Sequence, residues 1–182
     1  PFLPHAGNAQ ESLAAAPNVP RRCQNAMIAW LSGILRRTAT DGIVIEVAGV
    51  GYQVSVPLST FSMLPEPGVG LSLHIHTHLR EDSLSLFGFA TELEKDLFLL
   101  LLSVSGIGPK LALAVLSGLS AGELIAAIRA GNDAKLCGIS GIGRKTAARM
   151  CLELRDKVGQ LVPEPEIPVL SVPAESRETD DA

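Results

Sequence analysis

Apolar side chains recur at every second position through residues 43–47, 52–56, 71–79 and 83–89. The clearest run is Leu71-Ser72-Leu73-His74-Ile75-His76-Thr77-His78-Leu79. Period-two alternation predicts strands with one face turned inward. Residues 27–37 add a fifth candidate, and Ala48-Gly49-Val50-Gly51 reads as a hairpin connection. About five strands in so short a stretch suit a small closed barrel. From Thr91 the period becomes helical. Thr91 is placed to cap a helix whose first turn carries Glu92 and Glu94, where negative charge is favoured. Further helices are predicted over 123–130 and 145–158. Residues 97–102 (Leu-Phe-Leu-Leu-Leu-Leu) are apolar around the whole helix circumference, so burial on several sides is expected. A subunit interface explains this better than burial beneath the barrel. The fold class expected is α+β in two domains: a five-stranded barrel at 27–90, then an all-α domain at 91–160.

The two ends read differently. Residues 1–26 are Ala- and Pro-containing without sustained periodicity, and are expected to be a non-domain, disordered extension. Residues 161–182 carry six acidic residues, one arginine and four prolines, the composition of an acidic flexible linker. The net charge of −4 is therefore a poor guide, because residues 27–160 hold 12 basic and 12 acidic side chains. What matters is where those cations stand. Cys23, Cys137 and Cys151 form no CxxC pair. An odd, scattered count describes reduced thiols in an intracellular protein rather than a disulfide framework. No apolar run reaches membrane-spanning length, and the first residues lack a signal-peptide core.

The hexapeptide Ser-Gly-Ile-Gly-Pro-Lys at 105–110 returns as Ser-Gly-Ile-Gly-Arg-Lys at 140–145. Glycine permits positive φ and leaves no Cβ above the turn. Pro109 stands where a new helix should start, a position that favours proline. Such a corner offers bare N–H groups at a helix N-terminus, where anions are attracted. Lys110, and Arg144 with Lys145, reach the same place. A nucleotide P-loop fails on residue type, since Arg144 stands where lysine is required. Two phosphate clamps at a fixed separation suit a polyanion backbone better than one nucleotide. The plain alternative is a pair of ordinary glycine-capped helical hairpins.

Arg80-Glu81-Asp82-Ser83 lies between two strands and should form a hairpin tip, where acids are ordinarily solvated turn formers. A shared Mg²⁺ site for phosphodiester cleavage is the sharper reading of such a pair, but adjacent residues at a tip point apart. His74, His76 and His78 share one strand face. A solvent-facing surface accounts for them more simply than a metal site. Aromatic residues are only 4% of the chain. Trp30, Tyr52, Phe87 and Phe89 read as core rather than as stacking platforms for single strands. There is no nucleophile–base–acid set and no Walker motif, so no catalytic residue, metal or cofactor is assigned.

These corners resemble the helix-hairpin-helix DNA-binding motif. The chain as a whole resembles the bacterial RuvA family of Holliday-junction-binding proteins from Met27 to about Val158. The matching stretches include Met27-Ile28, GVGY at 49–52, RED at 80–82, LFGF at 86–89, LFLLLLSVSGIGPKLALAVLSG at 97–118 and GIGRKTAARM at 141–150. The resemblance implies an OB-type barrel, tandem helix-hairpin-helix motifs and a homotetramer, with an octamer on DNA as a further option. It implies binding of four-way junction DNA in the bacterial cytoplasm, in partnership with the RuvB motor and in reach of the RuvC resolvase. Carried over by position, Gly106, Gly108 and Lys110 make the first clamp. Gly141, Gly143, Arg144 and Lys145 make the second, and Glu81 and Asp82 an acidic pin at the junction centre. The family's motor-contacting helical domain has no match in this sequence, so junction binding without motor recruitment is expected. The competing classes are a helix-hairpin-helix nuclease or glycosylase, and a generic duplex DNA or RNA scaffold.

Overall fold

A computed structural model describes residues 27–161 except 41 and 82. The expected leader at 1–26 and nearly all of the expected linker lie outside the described residues.

The alternating segments become β1 (Trp30–Ala39), β2 (Gly42–Val47), β3 (Val50–Ser55), β4 (Gly70–Leu79) and β5 (Leu84–Phe89). They close into a barrel in the order β1-β2-β3-β5-β4. The β2–β3 connection is tighter than the sequence suggests. Only Ala48 and Gly49 lie between the strands, both at positive φ, the backbone that two-residue hairpin turns require. β1 pairs with both β2 and β4 and shifts register between Leu35 and Arg37. That irregularity bends the strand so that one element serves two neighbours. β3 and β5 run parallel and complete the ring.

Alternation sets the barrel core: Leu31, Leu35, Ile43, Ile45, Val54, Leu71, Leu73, Ile75 and Leu86 are buried within it. Phe87 and Phe89 are buried as well, but in the other core. They belong to the helical cluster and pack on Phe98, with ring centroids 5.2 and 4.9 Å away. β5 is thus covered on both faces and joins the two cores.

The helical part comprises α1 (Leu58–Phe61), α2 (Glu92–Leu102), α3 (Pro109–Gly118), α4 (Ala121–Ala130), α5 (Asp133–Cys137) and α6 (Arg144–Val158). The short α1 and α5 had no periodic signal to announce them. Thr91 caps α2 by accepting from the Glu94 amide. Glu94 does more than complement the dipole. It is buried and accepts from Ser59 Oγ and Thr60 Oγ1 at 2.5 and 2.9 Å, pinning α1 to α2. The apolar belt of α2 is mostly satisfied within one chain. Leu97, Phe98 and Leu101 are buried against the chain's own elements, and Leu99 is exposed. Cys137 and Cys151 are free and half-buried, while Cys23 lies outside the described residues. Among the described residues no single helix is long and apolar enough to cross a membrane.

Candidate nucleic-acid interface

The two hexapeptides fold to the same corner. Gly106 has φ +93° and Gly141 φ +90°. In each, the following isoleucine donates its amide back across the turn, Ile107 to Val104 O at 3.1 Å and Ile142 to Ile139 O at 3.0 Å. Both side chains are buried and anchor the corner. The second glycine of each pair is an extended N-cap, at φ −96° for Gly108 and −86° for Gly143. Its carbonyl accepts the first helical bond, from Ala112 and Ala147 respectively, both at 2.9 Å.

These two helix starts differ from others in the chain. Thr91, Ser120 and Asn132 cap α2, α4 and α5 with side-chain oxygens, and each of those helices carries an acid in its first turn. α3 and α6 have neither a side-chain cap nor a first-turn acid. Their leading N–H groups and dipoles face outward uncompensated. A Cβ built on Gly106, Gly108 or Gly143 would meet nothing within 4 Å, so open space stands over the corners. Lys110, Arg144 and Lys145 are all exposed beside them. Such a site accepts an anion through main-chain amides and a neighbouring cation, with no reading of base identity.

The corners also lean on each other. Leu111 of α3 packs over Gly141, where an added Cβ would come within 2.9 Å of Leu111 Cδ1. From α6, Arg149 Nη1 donates to Ser105 O at 3.2 Å, and Lys157 Nζ donates to Ser103 Oγ at 3.3 Å. Sequence reasoning missed these braces. Nothing local in the motif marks Leu111 or Arg149, because their partners lie a whole repeat away.

The Arg80–Ser83 segment is the expected tip. Leu79 pairs with Leu84, and the Arg80 amide donates to Ser83 O at 2.8 Å. Glu81 is exposed there, while Asp82 lies outside the described residues. The base of this arm and the start of α3 line a common groove of ≈ 420 Å³, reached by Arg80 from one side and Lys110 from the other. The first corner and the acidic tip, far apart in sequence, are thereby neighbours.

The histidine reading needs correction. The face of β4 that carries them is not a solvent-facing surface, since all three rings are half-buried. His74 meets the Trp30 ring edge-on at 4.9 Å. His76 packs 5.5 Å from Phe98 and 6.4 Å from Phe87. Burial, with the nearby Lys95 ammonium, pushes His74 down to about 4. Burial also lowers His76, aided by His78 and Lys95. Alternation located the shared face, but α2 covers it. Among the described residues no three His, Cys, Asp or Glu side chains gather into a group able to hold a metal.

Residues 27–88 match the RuvA N terminal domain, and residues 98–156 match the SAM-like Helix-hairpin-helix tandem. The curated Holliday junction branch migration complex subunit RuvA of Geobacter sulfurreducens is 53% identical over 152 residues, covering 82% of this chain and 76% of that protein. The protein of the same name from Chlorobaculum parvum is 53% identical over 137 residues, covering 75% and 67%. That of Chlorobium phaeobacteroides is 47% identical over 156 residues, covering 86% and 78%.

Proposed function

Since the chain belongs to the RuvA family, we propose that it binds four-way DNA junctions as the non-motor subunit of a branch migration complex. Helicase and ATPase work then resides in the RuvB partner. The observation that carries the DNA-binding reading is the paired, side-chain-free helix starts of α3 and α6, each with a positive-φ glycine corner and exposed cations. Gly106, Gly108 and Lys110 grip one phosphate region, and Gly141, Gly143, Arg144 and Lys145 the next. Contacts of this kind fix register without sequence preference, as a protein acting on homologous junctions requires. About two phosphates per corner, over two corners in each of four copies, gives roughly 16 contacts if all engage, and binding that falls steeply with salt.

Glu81 and Asp82 act as the pin. Their charge repels phosphates at the crossover while the corners attract them further out. Homotetramer formation supplies the fourfold arrangement, with exposed Leu99 on α2 as one apolar position for the contact. Action in the cytoplasm and proximity to the RuvC resolvase complete the reading.

The test is a competition among labelled four-way junction, matched duplex and RNA, with molar mass measured on the complex. Junction should win, at a mass fitting four chains or a multiple. Glu81→Gln with Asp82→Asn should narrow the junction preference over duplex. Equal binding of all three nucleic acids by the parent would sink the proposal, and unchanged discrimination in the double variant would remove the pin from it.

A further inference from the structure

The groove between the β4–β5 arm and the start of α3 carries more than the first corner needs. It measures ≈ 420 Å³ and is lined by His78, Arg80 and Ser85 on the barrel side and by Gly108 and Lys110 on the helix side. That volume lies within the usual size of a small-molecule site and accommodates a nucleotide unit. The two cations come from separate elements and approach one space. Arg80 Nε donates to His78 Nε2 at 3.2 Å. A guanidinium tethered through Nε keeps its two terminal amino groups as a fork, the geometry that matches phosphate oxygens. As the acceptor, His78 orients the arginine. The tether matters because an exposed arginine otherwise loses side-chain entropy on being held in one rotamer.

We infer that this groove seats one sugar–phosphate segment at the inner end of the first clamp, with Arg80 as a further phosphate-binding residue and His78 as the residue that positions it. This rests on the junction-binding reading above. Arg80 directly precedes the acidic tip. The tip therefore combines attraction at its base with repulsion at its end, and a strand passing the exchange point is drawn into the groove while being kept off the centre. A strand in plain duplex, seated on the outer corners, does not reach that base.

The test measures four-way junction and matched duplex binding by fluorescence anisotropy across a salt series, using the full chain. Arg80→Gln should weaken junction binding about tenfold, the loss of one charge-assisted contact. It should lower the junction salt slope and leave duplex binding nearly unchanged. His78→Leu should lose part of the same affinity, whereas His78→Gln, which retains an acceptor, should recover it. A purely structural role for His78 would not show that recovery. Thermal melts of each variant check that the fold is intact. If Lys110→Ala weakens junction binding while Arg80→Gln does not, the inference is wrong and the clamp reading stands. If the parent shows no junction preference, the underlying reading fails first. Equal loss in the two histidine variants would remove the positioning role.

Discussion

The first and second glycine corners share a backbone and differ in their surroundings. Gly106 stands clear, with nothing near its missing Cβ, whereas Gly141 lies under Leu111 of the other repeat. The first corner opens onto a groove shared with the barrel arm. The second begins the longest helix of the set, α6 at 15 residues, which reaches back through Arg149 and Lys157 to hold the turn of the first. A repeated motif thus secures a repeated local geometry. It does not make two interchangeable parts, because each copy is packed against something different. The spacing between the two clamps is set by these cross-contacts rather than by either hexapeptide.

The largest expected effect separates the corners through their glycines. Alanine at either site meets the penalty for positive φ, about 1–2 kcal/mol. Gly141→Ala adds the collision with Leu111, for a total of about 2–4 kcal/mol in urea unfolding. Leu111→Ala should relieve that added part only in the Gly141→Ala background, with a coupling of about 1 kcal/mol. Equal costs at the two glycines would erase the proposed asymmetry.

Next come the cations. Removing Arg144 and Lys145 together should weaken junction binding roughly tenfold, and Lys110→Ala roughly threefold, with the salt slope falling in the same order. A flat response to both would show that the corners do not meet phosphate. A smaller change is expected for Arg149→Ala. Losing its bond to Ser105 O should cost about 1 kcal/mol of stability and reduce junction affinity. Unchanged unfolding would mean the corners are held in place by Leu111 and Lys157 without Arg149.

The smallest effect tests whether the comparison is local to the corners. His74 is far from both corners in the chain and packs on Trp30. Unfolded, it takes up a proton near its ordinary value of 6.5, and folded only near about 4. Stability present above 6.5 is therefore lost as pH falls toward 4. His74→Phe should flatten that loss, by under about 1 kcal/mol once solvent screening of the half-exposed ring is allowed for. Junction binding near neutral pH should not change. An acid-unfolding curve identical to the parent would place the pH sensitivity elsewhere.

Much was legible in one dimension. Period-two alternation located the strands and chose Leu71, Leu73 and Ile75 for the barrel interior, because the pleat sends alternate residues to opposite faces whatever the context. Glycine, isoleucine and proline at 106–109 determined the corner, since positive φ, a buried anchor and a helix start are local requirements. The family resemblance was carried by the same local stretches. Tertiary structure decided what could not be local. It turned Phe87, Phe89 and the β4 histidines toward α2, made Glu94 a buried latch, laid Leu111 over Gly141 and brought Arg80 opposite Lys110. Each of these depends on which element covers a face, and alternation reports that a face exists without saying what lies against it.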